Sequence, residues 1–134
     1  MGCGVVSRQW VLDFARPDEW IIMNERIHWA PKAAKTRTWR SVTASYARSE
    51  GIPRLDRAHI VVQPCFTRQN RTRDITNWMP TAKACVDGLT DAGLWLDDDD
   101  AHVVGPDLRP GPTVKGLARI RITITELDPT GDAA

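Results

Sequence analysis

From Leu117 to Thr125 the chain alternates without a break: Leu117, Arg119, Arg121, Thr123 and Thr125 fall on one side, and Ala118, Ile120, Ile122 and Ile124 on the other. Successive strand side chains point to opposite faces, so this period of two predicts a strand with one apolar face. Such a face has to be covered by a second layer. Two helical patterns can supply it. In residues 32–50, Ala33, Ala34, Trp39, Val42, Tyr46 and Ala47 make an apolar stripe opposite a basic side, closed by Gly51 and Pro53. In residues 80–92, Ala82, Cys85, Val86, Leu89 and Ala92 recur at three- and four-residue spacing, with Lys83, Asp87 and Asp91 opposite. Gly93 marks the stop of this second helix, Thr76 or Asn77 is its expected cap, and Gly88 weakens it slightly.

The other elements are shorter. Residues 59–66 (HIVVQPCF) read as a buried strand. Residues 10–14 and 20–23 read as strand, turn and strand around Pro17. After the Asp run, His102-Val103-Val104 leads into a Pro/Gly-rich loop over residues 105–112. The expected fold is α+β in two layers: a mixed or antiparallel sheet of about four to five strands, a usual sheet size, with two main helices. Residues 1–134 are expected to form one domain with a loose tail from 128. No apolar run is long enough to span a bilayer, and the first residues lack the pattern of a cleavable leader, so no membrane association and a cytoplasmic location are expected. Three scattered cysteines, Cys3, Cys65 and Cys85, suggest neither a disulfide framework nor a zinc site.

The net charge of +1 hides a segregation. Residues 24–73 carry eleven Lys and Arg against Glu25, Glu50 and Asp56. Residues 74–107 carry Asp74, Asp87, Asp91, Asp97, Asp98, Asp99, Asp100 and Asp107 against Lys83 alone. A basic surface attracts phosphate backbones, whereas an acidic cluster beside it repels them. A divalent ion such as Mg²⁺ resolves the conflict, because hard cations take oxygen ligands and bridge carboxylate to phosphate. Lys and Arg pairing with the Asp run in the fold would resolve it equally well. Expected phosphate contacts are Lys32, Lys35, Arg37, Arg40, Arg68, Arg71 and Arg73, which position a backbone without reading sequence. Of six tryptophans, Trp20, Trp39 and Trp95 sit in apolar patterns, while Trp29 and Trp78 flank polar, basic stretches and are candidates for stacking on unpaired bases. His102 is the one histidine close enough to the Asp run to be considered for a site.

Three groups can meet only under a condition. Asp74 precedes the second helix, Lys83 lies on its polar side, and Asp97 to Asp100 follow it. That helix is about 20 Å long at the usual rise, so Leu94-Trp95-Leu96 must double back along it. Paired carboxylates there would bind a metal that polarises a phosphodiester, with Lys83 offsetting charge on the phosphate.

The order Arg73-Asp74-Ile75-Thr76-Asn77, then Lys83, then DGLTDAGLWLDD from Asp87 to Asp98, resembles the RusA-type Holliday-junction resolvases. That family carries a D-x-D-N segment, a helical Lys and D-A-L-x-x-A-G-x-W-L-D-D. IRITITEL, ending at Leu127, also looks like its final strand, and the resemblance covers about residues 71–127. It implies a homodimer that nicks two strands of a four-way junction with Mg²⁺, for which Mn²⁺ is a plausible substitute. By position, Asp74 is the first acid, Lys83 the helical lysine and Asp98 the final acid, with Asp97 beside it. Two departures stand out. Thr76 takes the place of the family's second acid, and the stretch between Asn77 and Lys83 is longer than the family pattern. Three alternatives are therefore open: Asp87, Asp99 or Asp100 supplies the missing oxygen; metal binds weakly and only with substrate; or the chain binds branched DNA without cutting it.

Overall fold

The structure, a computed structural model, describes residues 8–23, 29–68 and 73–128. Its elements are strand β1 (Gln9–Ala15), helix α1 (Trp29–Ser49), strand β2 (Ala58–Cys65), a single 3-10 turn (Ile75–Trp78), helix α2 (Met79–Asp91) and strands β3 (Val103–Leu108) and β4 (Arg119–Glu126). The strands form one mixed sheet in the order β1-β4-β2-β3. β4 runs antiparallel to both β1 and β2, and β3 lies parallel to β2 at the far edge. A parallel neighbour needs a crossover, and the segment carrying α2 provides it.

Alternation in β4 is as the sequence predicts: Ile120, Ile122 and Ile124 are fully buried while Arg119, Arg121, Thr123 and Thr125 are partly exposed. They join Leu12, Phe14, Ala58, Ile60 and Val62 from the neighbouring strands and Trp39, Ala47, Ala82, Cys85 and Leu89 from the helices in one core. Full burial of each isoleucine contributes roughly 1.5–3 kcal/mol. The fold is thus the expected α+β arrangement. None of the described helices is long and apolar enough to cross a membrane. Cys65 and Cys85 are free and buried, and burial pushes the Cys85 thiol up to about 12.

Four local expectations are corrected. Residues 20–23 are not a strand: the Ile21 N–H donates to Thr81 Oγ1 (2.9 Å), that hydroxyl donates to the Ile21 carbonyl (2.8 Å), and the Met23 N–H donates to the Asn77 carbonyl (2.8 Å). With its backbone satisfied by α2 and the turn before it, this segment has no need of a sheet. Strand β3 runs on through residues 105–108, where a loop was expected, because an edge position tolerates Pro106. Neither Thr76 nor Asn77 caps α2, whose N-cap is Trp78 without a side-chain bond; Asp74 caps the preceding 3-10 turn, its Oδ1 accepting from the Thr76 N–H (3.1 Å) and from Thr76 Oγ1 (2.6 Å). Finally, Gly88 holds the two helices together. A Cβ there would lie 2.6 Å from the Arg40 carbonyl oxygen and 2.9 Å from Thr43 Cβ on α1.

The return after α2 is made by Gly93, at φ +88°, which no side chain would adopt without strain. Leu94 and Trp95 then fold under the helix. Trp95 Nε1 donates to Thr90 Oγ1 (2.7 Å), and the Leu55 N–H donates to the Leu94 carbonyl (2.6 Å).

Candidate functional site

The doubling back brings Asp98 alongside the middle of α2. Lys83 Nζ donates to Asp98 Oδ2 at 2.5 Å and to Asp87 Oδ1, one turn along the helix, at 3.0 Å. One ammonium is shared between two carboxylates. Its bond to Asp98, reinforced by Asp87, raises the Lys83 pKa above its usual range. The same bond holds Asp98 below the ordinary carboxylate range against a smaller cost of burial. Asp87 moves the other way, raised chiefly by burial and further by its neighbour Asp98, with Lys83 opposing. Burial and the shared ammonium thus push the two carboxylates in opposite directions, Asp98 down and Asp87 up.

The remaining acids have other work. Asp97 Oδ1 accepts the Asp98 N–H (2.8 Å) and so orients that residue's backbone. Asp99 accepts the Ala101 N–H (3.1 Å) and sits 2.6 Å from His102 Nδ1, whose bond lowers the Asp99 pKa. Asp100 is exposed. Asp74 lines a different cavity, with its Oδ1 given to Thr76. Among the described residues, no three His, Cys, Asp or Glu side chains gather as a metal cage. The five acids expected to share one ion are instead distributed: Asp87 and Asp98 together, Asp97 and Asp99 in the loop around them, Asp74 in the cleft. Two adjacent carboxylates still suit Mg²⁺, which commonly takes one or two and completes its shell with water and phosphate oxygens.

The cleft holding Asp74 measures about 700 Å³, and its wall includes Trp20, Phe66 and Trp78, with Arg16, Arg68 and Arg73. Trp20 stacks on the buried Trp39 at 5.5 Å, Phe66 meets Trp20 and Trp78 edge to face at 5.5 and 5.1 Å. The Arg73 guanidinium lies 3.9 Å from the Phe66 ring centre and that of Arg16 lies 5.4 Å from the Trp20 ring. Neither guanidinium has a carboxylate partner among the described residues.

The expected phosphate contacts divide accordingly. Lys32, Arg37 and Arg68 are exposed, and Arg73 is on the cleft. Lys35 is bridged to Glu19 (3.2 Å), and Arg40 is held by two bonds to Asp91. Arg71 and the tail beyond residue 128 lie outside the described residues, as does the side chain of Trp29. Sequence reasoning missed Arg16, which reads as part of a turn beside Pro17; its four-residue distance from Trp20 was the available signal. Trp20, Trp39 and Trp95 join or pack against the core, as expected, and Trp78 lines the cleft.

No family model matches the chain. Curated relatives include the crossover junction endodeoxyribonucleases RusA of Escherichia coli strain K12 and of Shigella sonnei strain Ss046, and that of Enterobacteria phage 82. Each is 43% identical over 63 residues, which is 47% of this chain and 48% of the relative. The chain spans about half the length of the curated relatives it matches. Over that half, it is similar to the RusA crossover junction endodeoxyribonucleases.

Proposed function

We propose that the chain is a metal-dependent endodeoxyribonuclease that resolves Holliday junctions or related branched DNA in recombination and repair, working as a homodimer. The observation that carries this reading is the Asp87–Lys83–Asp98 cluster, built from the same residues that resemble the RusA string. Asp98 and Asp87 are the residues placed to hold Mg²⁺, or Mn²⁺ in its stead; Asp97 keeps Asp98 oriented, and Asp74 is assigned to the same work by resemblance alone. Bound there, the ion would polarise the phosphodiester and lower the pKa of an attacking water. With the two carboxylates so engaged, the Lys83 ammonium would be free to neutralise charge growing on the phosphate. Exposed Lys32, Arg37 and Arg68 hold the duplex arms through their backbones. Two copies related by a two-fold axis match the symmetry of a four-way junction and explain paired cuts. Such work belongs in the compartment that holds DNA, which we take to be the cytoplasm.

The test is incubation of purified protein with a synthetic four-way junction, with and without Mg²⁺. Symmetric nicks that require the ion are expected. Tight binding with no nicks at any Mg²⁺ or Mn²⁺ concentration would instead favour a second reading, a junction-binding module without catalysis. One feature favours that second reading: where the family has a second acid, the Thr76 hydroxyl donates to Asp74.

A further inference from the structure

The cleft has features that phosphodiester cutting at the Asp87–Asp98 pair does not use. Its wall is aromatic, its rim is cationic, and neither Arg16 nor Arg73 forms an ion pair among the described residues, Arg73 Nη1 donating only to the Arg68 carbonyl (3.3 Å). Four other arginines are matched to acids: Arg8 to Glu126, Arg40 to Asp91, Arg119 and Arg121 to Asp13. Arg16 and Arg73 instead lie over Trp20 and Phe66. A guanidinium stacked on a ring keeps its N–H groups pointing outward in a plane, ready for a phosphate, and presents its other face for a further flat group. Trp78 adds a third ring whose Nε1 is shielded from solvent and has no hydrogen-bond partner among the described residues. The one acid present, Asp74, already gives an oxygen to Thr76. A flat, apolar, hydrogen-bonding group joined to an anion is what this combination suits.

We infer that the cleft takes one unpaired nucleobase of DNA, stacked among the Phe66 and Trp78 rings and the Arg73 guanidinium, with the adjoining phosphate on Arg16 and Arg73. The inference rests on the DNA-directed reading above and deepens it by naming what part of the substrate is gripped away from the cut. Aromatic and guanidinium faces hold splayed bases without reading their sequence, since every base has a flat face. Paired bases stacked within an arm are held away from the cleft; bases at a strand-exchange point, where stacking is interrupted, are the most readily unpaired. The cleft therefore makes the chain prefer branched over linear duplex DNA.

The experiment uses the full chain with no divalent ion, so that nothing is cut. A four-way junction carries 5-iododeoxyuridine either at the exchange point or within an arm, and long-wavelength irradiation joins it to a neighbouring aromatic residue. Adducts on Phe66 or Trp78 from the exchange-point label, and none from the arm label, are expected. Trp78→Ala should weaken junction binding about tenfold, the size of one lost base stack, and duplex binding by much less. Trp78→Phe, which keeps a ring, should restore most of the preference, and Arg73→Gln should reduce it while leaving the thermal unfolding midpoint near wild type. Adducts mapped to other residues, or equal losses on junction and duplex, would overturn the inference. Its failure is separable from failure of the nuclease reading: a chain that cuts junctions with no adduct in the cleft loses only base capture, and one that forms the adduct but never cuts loses only catalysis.

Discussion

Arg40 and Arg73 come from the same basic stretch of sequence, yet the fold gives them opposite fates. Arg40, on α1, is clamped by both carboxylate oxygens of Asp91 at 2.9 Å, which raises its own pKa and lowers that of Asp91. Arg73, on the cleft, faces a ring and forms no ion pair among the described residues. The first arginine ties α1 to the end of α2; the second holds a positive charge in reserve. Counting lysines and arginines along a chain therefore overstates its appetite for phosphate. What matters is which cations the fold leaves without a carboxylate, and Arg16 and Arg73 on the aromatic cleft are two of them. The acidic half shows the same division, since Asp91 is consumed by the helix seam while Asp87 and Asp98 share one ammonium.

That contrast can be broken or sharpened at several points. The largest effect is expected at the shared ammonium. Asp98→Asn should lower junction cleavage by about a thousandfold, as loss of several kcal/mol of metal-borne stabilisation implies, while junction binding measured by gel shift stays equal or tightens because a negative charge is gone. Asp74→Asn tests the cleft acid in the same assay; full activity there would remove Asp74 from the metal site. Next, Lys83→Ala should slow single-turnover cleavage about a hundredfold and weaken binding far less, and equal losses in both would reduce Lys83 to a phosphate anchor. Third, Gly88→Ala should destabilise the chain by about 1–3 kcal/mol in urea unfolding, since the added methyl meets the Arg40 carbonyl and has to push α1 and α2 apart.

The smaller effects separate the two arginines directly. Arg73→Ala should weaken DNA binding and reduce the salt slope by about one. Arg40→Ala should leave that slope unchanged and cost at most about 1 kcal/mol of stability, as for an exposed pair. The smallest concerns pH. Lys83 has its pKa raised in the fold, so its contribution is complete below its unfolded value and disappears as pH rises through the folded one. Asp98 has its pKa lowered, so its contribution is complete above its unfolded value and disappears as pH falls through the folded one. Between these limits the pair's contribution is constant. Loss at the alkaline end and at the acid end of a wild-type stability profile, both smaller in Lys83→Met, is the expected pattern.

Much of the architecture was legible in the chain because it rests on short-range period. The β4 alternation, the α2 stripe and the Gly93 stop each follow from which residues lie two, three or four apart. The return of Leu94-Trp95 under α2 was legible as a demand for bringing Asp98 back toward Asp74, and what it delivers is Asp98 at Lys83. Other features were not legible. Residues 20–23 have strand composition, but Thr81, sixty positions away in sequence, satisfies their backbone. Gly88 looked like a weak point until α1 was seen against it. Arg16 looked like a turn residue because its ring partner matters only once Trp20 is fixed against Trp39.

Local order along the polypeptide was enough to define an α+β domain with a basic stretch, an acidic stretch and a RusA-like string, because helix and strand periods and turn chemistry act over a few residues. Only packing in three dimensions could sort the charges into those neutralised and those left open, and could place the Lys83 ammonium between Asp87 and Asp98. Electrostatic pairing depends on distance in space, and a carboxylate fifteen positions along the chain from a lysine can be its nearest neighbour.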